Sequence, residues 1–153
     1  MEISIITICN KKDNNAEATI EKYISQIEKF YKTNIINISF KTKKKQKNLY
    51  EKEYRKAISL IKPGSILISL DENGNNYNSI NFSQKMQHWI EEYSQIYFII
   101  GGPDGLSDEI KHKSGSILSL SKLTFPHQLA KVILIEQIYR SISIMNNHPY
   151  HRS

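Results

Sequence analysis

The sequence lacks most of the motifs by which an enzyme class is identified directly. Cys9 is its only cysteine, so the chain can form no internal disulfide and no zinc site built from cysteines. The nucleophile and metal motifs GxSxG and HExxH do not occur, and neither does a GxGxxG or GxxxxGK[ST] phosphate loop. These absences exclude the hydrolase, metalloprotease and nucleotide-binding classes that such motifs define.

Long hydrophobic segments are also missing. The longest apolar runs, Ile96–Ile100 and Val132–Ile135, are far too short to cross a bilayer. The N-terminal segment Met1–Ile8 lacks the basic n-region of a signal peptide and is typical of a strand. We therefore expect a soluble, cytoplasmic protein.

What the sequence does contain is enough for one basic domain covering residues 1–153. Hydrophobic residues make up 39% of the chain, which suffices for a folded core. Lysine and arginine number 21 against 15 acidic residues, a net charge of +6 that favours a polyanionic partner. Several of these lysines lie in Lys41–Lys47, which is equally compatible with a solvated turn and with a phosphate-binding patch.

Apolar periodicity predicts strands that alternate with helices. The predicted strands are Met1–Cys9, Asn34–Phe40, Ser65–Leu70, Ile96–Ile100 and Ser116–Leu120. The predicted helices are Ala16–Tyr31, Tyr50–Ile61, Phe82–Tyr93, Asp108–Lys113 and Pro126–Met145. This order predicts an α/β fold with a mostly parallel sheet flanked by helices, in which ligands bind beyond the carboxyl ends of the strands.

The last predicted helix has two apolar stripes where a surface helix needs one. The first consists of Leu134, Ile135, Ile138, Ile142 and Met145, and the second of Leu129, Val132, Ile133 and Ile144. Burial on two sides is expected either in the core of a monomer or between the sheet and a second subunit, and the pattern does not decide between them.

Three further segments could form a site. Ile99–Ser107 places glycines directly after a buried strand, where backbone groups can approach a ligand, although an ordinary tight turn explains the same pattern. Leu118–His127 could hold an adenine ring, or Thr124 could simply cap the following helix. The tail Asn146–Ser153 gathers two histidines, a tyrosine and an arginine, and a metal site there is disfavoured because no carboxylate or cysteine is near in sequence.

Three stretches of the chain closely resemble the RlmH family of ribosomal RNA large subunit methyltransferases. They are Ile100–Ser107, Leu118–His127 and Asn146–Arg152, and they occur in the order found in that family. The resemblance implies a fold of the SPOUT type with a C-terminal trefoil knot, a homodimer, and S-adenosyl-L-methionine as cofactor. It also implies a reaction, the methylation of N3 of a pseudouridine in 23S rRNA within the assembled ribosome, with no metal and no membrane.

The resemblance also implies which residues act. The implied cofactor site comprises Leu70, Gly101, Leu120, Ser121, Lys122, Leu123, Thr124 and Phe125. The implied catalytic residues are in the tail: His151 to accept or relay a proton, Arg152 to hold phosphate and Tyr150 to pack on the base. One departure is the turn Asp71–Asn75, which lacks the basic residue and the Gly-Lys usual in the family.

Besides a plain nucleotide-binding α/β domain, for which the sequence offers no phosphate-binding fingerprint, two other functions remain open at this stage. One is a SPOUT methyltransferase that acts on a different RNA, such as tRNA, and the His-Pro-Tyr-His-Arg ending argues against it. The other is a non-catalytic RNA-binding protein of ribosome assembly, which would have no need of the cofactor loop.

Overall fold

A computed structural model describes residues 1–10, 14–40, 51–102 and 105–152 of the chain. The lysine-rich segment Lys41–Lys47 lies outside the described residues, so its proposed role as a phosphate-binding patch stays a prediction.

Within the described residues, five strands alternate with five helices. The strands are β1 (Glu2–Ile8), β2 (Lys32–Ile38), β3 (Ser65–Asn76), β4 (Gln95–Ile100) and β5 (Ser116–Ser119). The helices are α1 (Asn14–Ile27), α2 (Glu51–Ser59), α3 (Ser79–Glu92), α4 (Asp108–Lys113) and α5 (His127–Met145). Among these residues, no helix is both long and apolar enough to span a membrane.

All five strands pair in parallel, in the order β2-β1-β4-β3-β5. Helices α1, α3 and α5 cover one face, with α5 between the other two, and α2 and α4 cover the opposite face. Every residue of β4 is buried, because a central parallel strand is covered on both faces. The predicted α/β fold with a parallel sheet is confirmed.

One predicted turn is part of a longer strand. β3 was expected to end at Leu70, but it continues to Asn76 through an irregularity, so that Leu70 and Asn75 are both opposite Leu118. The excursion between them packs closely on β5, since a Cβ added to Gly74 would lie 2.7 Å from the Ile117 carbonyl oxygen. Gly74 therefore holds this segment against β5, while Glu72, Asn73, Asn75 and Asn76 are exposed.

Helix α5 begins at His127, with Pro126 as its N-cap, and no side chain caps it. The alternative in which Thr124 caps this helix is wrong. The first apolar stripe is buried, with Leu134, Ile135, Ile138 and Ile142 fully covered by the chain's own core. The second is only half-buried, and Leu129 remains 47% exposed.

Candidate functional site

A cavity of about 460 Å³ opens at the carboxyl ends of β3, β4 and β5, where a parallel sheet is expected to bind its ligand. Three loops form its walls, and each follows one of these strands. Its apolar lining is Leu70, Ile100, Leu106, Leu118, Leu120, Leu123, Phe125 and Ala130, and its polar lining is Asp71, Glu72, Asn73, Lys111, Ser121, Thr124 and His127.

The residues predicted for cofactor binding lie together at this cavity, with one exception. Leu70, Gly101, Leu120, Ser121, Leu123, Thr124 and Phe125 all line it. The side chain of Lys122 is exposed and is not part of the lining. The arrangement brings one predicted site together from three distant parts of the sequence.

Gly101 is required by packing. A Cβ at this position would lie 2.9 Å from the Gly105 carbonyl carbon and 3.0 Å from Leu106 Cδ2. The Tyr54 hydroxyl donates a hydrogen bond to the Gly105 carbonyl and so ties the loop to α2. The Gly105 amide donates to the Gly102 carbonyl at 3.0 Å, as the tight turn considered from the sequence requires, and the backbone of Gly101 and Gly102 is on the cavity wall.

The loop after β5 is held by its own hydroxyl groups. Ser119 Oγ donates to the Ser121 carbonyl at 3.0 Å, and Ser121 Oγ accepts from the Leu123 amide at 3.0 Å. Thr124 Oγ1 donates to Glu72 Oε2 at 2.9 Å, which joins this loop to the segment after Leu70. Leu123 is 72% exposed at the cavity mouth, an unusual position for a large apolar side chain.

On the opposite wall, Asp71 is fixed in two directions. Its Oδ2 lies 2.8 Å from Lys111 Nζ of α4, and its Oδ1 accepts from the Asn73 amide at 2.8 Å. The hydrogen bond from Lys111, with a further contribution from Asn73, holds the pKa of Asp71 below its usual value despite partial burial. Asp71 is thus an anion on the cavity wall.

His127 lines the cavity at the start of α5, and Lys131 follows it one helical turn later, outside the lining. The His127 ring lies near the Ile100 carbonyl, but no hydrogen bond of ordinary geometry joins either ring nitrogen to the described residues. Burial and then the Lys131 ammonium lower the pKa of His127, so its imidazole is neutral at pH 7. Lys131 is itself only 3% exposed, and burial lowers its pKa.

The C-terminal tail lies elsewhere. After α5 the chain reverses at Asn147, and Tyr150 packs on Tyr139 with ring centroids 4.5 Å apart. The Tyr150 hydroxyl donates to Glu136 Oε1 at 3.0 Å and lies 3.3 Å from the Tyr23 hydroxyl. Arg140 lies 4.9 Å from the Tyr150 ring centroid and is joined to Glu136 through both Nε and Nη2.

His151 is also part of this cluster. Arg140 Nη1 donates to His151 Nδ1 at 3.1 Å, while Nε2 is buried and has no hydrogen-bond partner among the described residues. From His127 at the cavity to Arg140 beside His151, α5 rises about 20 Å at 1.5 Å per residue. Within one chain the three predicted catalytic residues are therefore separated from the cavity, and Arg152 is exposed.

Comparison with known proteins places the chain in a family. The sequence profile described as "Predicted SPOUT methyltransferase" matches residues 1–151. The Ribosomal RNA large subunit methyltransferase H of Methylobacillus flagellatus is 33% identical over 154 residues, covering 99% of each chain. The protein of the same name from Acinetobacter baumannii is 36% identical over 161 residues and is covered along its full length. The chain belongs to the RlmH family.

Solved structures support the SPOUT fold of this RlmH-family protein at much lower sequence identity. A probable methylase family protein from Haemophilus influenzae superposes on 99% of the chain and 70% of its own, with a TM-score of 0.57 and 12% identity. The SpoU methyltransferase AviRb from Streptomyces viridochromogenes superposes on 95% of the chain and 61% of its own, with a TM-score of 0.50 and 11% identity. These similarities concern the fold alone.

The four ionisable residues in the described lining of the cavity are not among the site residues predicted from the sequence: Asp71, Glu72, Lys111 and His127. The position of Asp71 and Glu72 after a strand end is a signal that could have identified them. Lys111 has no such signal, because its approach to Asp71 depends on how α4 lies across β3.

Proposed function

We propose that this protein uses S-adenosylmethionine to methylate ring nitrogen N3 of a pseudouridine in 23S rRNA. The observation that carries the proposal is the cavity, which gathers the three loops predicted for the cofactor in a chain of the RlmH family. The relatives' names specify ribosomal RNA of the large subunit, and a net charge of +6 suits such a partner. A ribosomal substrate would place the activity in the cytoplasm.

The cavity suits the cofactor in size and chemistry. Its volume of about 460 Å³ lies within the range of small-molecule sites. Leu120, Leu123 and Phe125 offer apolar surfaces for an adenine ring, and backbone groups of the same loop can bind its edge. We assign Leu70, Gly101 and the run from Leu120 to Phe125 to holding S-adenosylmethionine, which when bound supplies an activated methyl group.

The second apolar stripe of α5 supports the proposal of a homodimer. The chain's own core covers the first stripe, whereas Leu129, Val132, Ile133 and Ile144 are half-buried or exposed. A helix placed centrally in a monomer's core would have both stripes covered. We therefore propose that a second copy covers this stripe through a two-fold interface.

In this dimer we propose that each tail completes the cavity of the other subunit. Arg140 donates to Nδ1 of His151, so the neutral ring carries its proton on Nε2, which is buried without an acceptor. A buried donor left unpaired costs about 1–3 kcal/mol, which favours release of the tail toward another site. The separation of about 20 Å along α5 makes the chain's own cavity an unsuitable destination.

The chemistry of the three tail residues assigns them different tasks. Burial first, then hydrogen bonds with Tyr23 and Glu136, raise the pKa of Tyr150 well above its usual value, so its hydroxyl stays protonated and cannot be the base. His151 can accept a proton on Nε2 only when Nδ1 carries the hydrogen, which requires loss of the Arg140 contact. We assign His151 to accepting the proton once the tail is released from α5. We assign Arg152 to phosphate binding and Tyr150 to packing on the target nucleobase.

The trefoil knot is also part of this proposal. It is supported by membership of the family and by the close packing of the segment after Leu70 with β5 and its following loop, through Gly74 and the Glu72–Thr124 hydrogen bond. A crystal structure whose electron density traces residues 65–76 and 116–127 tests the knot. A backbone path in which the C-terminal part of the chain does not pass through a loop would contradict it.

Methyl transfer to ribosomes tests the function directly. Labelled S-adenosylmethionine and the protein would be incubated with ribosomes that lack the modification, and with ribosomes that carry uridine in place of the target pseudouridine. We expect label at the pseudouridine alone. Label on another RNA, or on the uridine control, would contradict the substrate assignment. Cofactor binding without any transfer would leave a SPOUT methyltransferase of another RNA, and a protein that does not bind the cofactor either would be a non-catalytic assembly protein.

Complementation between two inactive variants tests the shared site. Gly101→Val damages the cavity and His151→Ala damages the tail, so neither homodimer should transfer methyl groups. After random exchange of subunits, about a quarter of the sites combine an intact cavity with an intact partner tail, and activity should return to about that fraction. No recovery from exchanged subunits would contradict a site completed by the partner.

A further inference from the structure

The cavity has an apolar end and a charged end. Leu120, Leu123 and Phe125 lie on the loop after β5, whereas Asp71, Glu72 and Asn73 lie on the segment after Leu70, facing α4. Among the described residues that line the cavity, Lys111 is the only lysine or arginine. A ligand with an anionic group therefore finds one permanent cation in this wall.

Lys111 is held in place with hydrogen-bonding capacity left over. Its ammonium is 2.8 Å from Asp71 Oδ2, and its side chain is 30% exposed against 16% for Asp71. An ammonium has three N–H donors, and the bond to Asp71 uses one of them. The other two have no partner among the described residues, although Lys111 lines the cavity.

The fixed ammonium suits a carboxylate better than a phosphate. The adjacent carboxylates of Asp71 and Glu72 would repel a doubly charged group, while a single carboxylate can form a charge-assisted hydrogen bond to one ammonium. Asp71 prevents the lysine from withdrawing into solvent, so little side-chain freedom is lost when a ligand binds. Glu72 and Asn73 beside it can accept a hydrogen bond from an amino group.

We propose that Lys111 binds the carboxylate of the amino-acid half of S-adenosylmethionine, which places that half at the Asp71–Asn73 wall and the adenine at Leu120–Phe125. This inference rests on the proposed function, because it presupposes that the cavity binds this cofactor. Lys111 is thus a specificity-determining residue at this wall of the cavity. The positive charge at this wall comes here from α4.

Three ligands distinguish binding of the carboxylate from general shaping of the cavity. S-adenosylmethionine and S-adenosylhomocysteine carry the amino-acid half, and 5′-methylthioadenosine lacks it. Calorimetric dissociation constants would be measured for the wild type, Lys111→Met and Lys111→Arg. The control is Lys113→Met, which removes another cation of the same helix. Lys113 pairs with Glu109 at 3.9 Å and does not line the cavity.

We expect Lys111→Met to weaken both amino-acid ligands about tenfold and 5′-methylthioadenosine less than about twofold, because only the former lose a charge-assisted hydrogen bond. Lys111→Arg should restore most of the affinity, and Lys113→Met should change none. The double variant Asp71→Asn/Lys111→Met leaves no unpaired carboxylate at position 71. It should still weaken S-adenosylmethionine and S-adenosylhomocysteine more than 5′-methylthioadenosine.

Equal weakening of all three ligands, or no weakening of any, would overturn the assignment of Lys111 while leaving the proposed function intact. A wild-type protein that binds none of the three would overturn the proposed function and this inference together. Circular dichroism of each variant shows whether a loss of affinity reflects a loss of fold.

Discussion

The cavity and the C-terminal tail are built in opposite ways. Backbone loops after three parallel strands form the cavity, and all of its described lining comes from one chain. The tail is a network of side chains, in which Tyr150 and His151 are bound to Glu136 and Arg140 of α5. Glycine packing and strand order therefore determine the shape of the first region, whereas the second depends on a few polar contacts that can exchange.

This difference separates two kinds of function. Loops held by Gly101 and by the Thr124–Glu72 hydrogen bond can bind a cofactor without rearrangement. A tail that leaves a buried ring nitrogen without an acceptor gains a hydrogen bond when it docks at a site that offers one. Substitutions should accordingly divide into those that affect cofactor affinity and those that affect the docking of the tail.

The largest effect is expected at Gly101. In Gly101→Ala the Cβ would lie 2.9 Å from the Gly105 backbone, so the loop must shift. We expect at least a tenfold loss of affinity for S-adenosylmethionine and a free energy of unfolding lower by about 1–3 kcal/mol. Calorimetry and urea unfolding measure the two quantities.

The matched control for Gly101 is Gly64→Ala. Gly64 has a φ of +78°, which would strain a side chain at this position. It directly precedes β3, at the amino ends of the strands and therefore at the opposite end from the cavity. This variant should lose stability and keep its cofactor affinity. Equal losses of affinity in both variants would mean that binding follows global stability, and the distinction between the two regions would disappear.

A substitution that disturbs the tail should lower the stability of the protein without changing its affinity for the cofactor. Glu136→Ala removes the acceptor of two Arg140 hydrogen bonds and of the Tyr150 hydroxyl, and all three side chains are largely buried. We expect a loss of about 1–3 kcal/mol in the free energy of unfolding, with unchanged affinity for the cofactor. Glu109→Ala, which breaks an exposed pair with Lys113, should change stability by less than about 0.5 kcal/mol. A loss of cofactor affinity in Glu136→Ala would show that the two regions are coupled within one chain.

Local sequence patterns predicted the elements of the fold because each pattern has a local cause. The wholly apolar run Ile96–Ile100 became the central strand, and the stripe of Leu134, Ile135, Ile138 and Ile142 became the buried face of α5. The boundary of β3 was wrong because the segment after Leu70 pairs with β5, and pairing between distant strands leaves no periodic signal in either one.

The site could be predicted only in part, for a related reason. The residues predicted to bind the cofactor follow strand ends, and parallel strands bring those ends together, so Leu70, Gly101 and Leu120 meet at one cavity. The pair formed by Asp71 and Lys111 depends on the placement of α4, and neither residue occurs in a motif. The position of the tail was likewise unpredictable, since nothing in the spacing of Tyr150 and His151 indicates docking on Glu136 and Arg140.

A smaller effect, and one that depends on pH, is expected at Asp71. Lys111 holds the pKa of Asp71 below its usual value in the folded protein, so the carboxylate stabilises the fold above the unfolded pKa of about 3.9, and this stabilisation is lost as the pH falls through the lower folded value. Asp71→Asn should cost about 1–2 kcal/mol at pH 7 and at pH 5, and the gap to wild type should begin to narrow below about pH 4.

Urea unfolding at several pH values measures this gap. Asp108→Asn is the control, because Asp108 is an exposed carboxylate of α4 that forms no ion pair with the described residues. Asp108→Asn should lower the free energy of unfolding by less than Asp71→Asn does at pH 7 and at pH 5. A gap for Asp71→Asn that is as large at pH 3 as at pH 7 would show that the side chain stabilises the fold by packing and not by its charge.

The smallest effect is expected at the contact between two cavity walls. Thr124→Val keeps the shape of the side chain but removes the hydroxyl that donates to Glu72, an exposed hydrogen bond. Because water can replace this bond, stability should change by less than about 0.5 kcal/mol, whereas cofactor affinity should fall about threefold through looser positioning of the loop. Glu72→Gln retains an acceptor for Thr124 and should keep most of the affinity. If Thr124→Val bound the cofactor as tightly as wild type, the loop after β5 would be held by Ser119 and Ser121 alone, and the cavity would owe its shape to backbone packing without help from this side-chain bond.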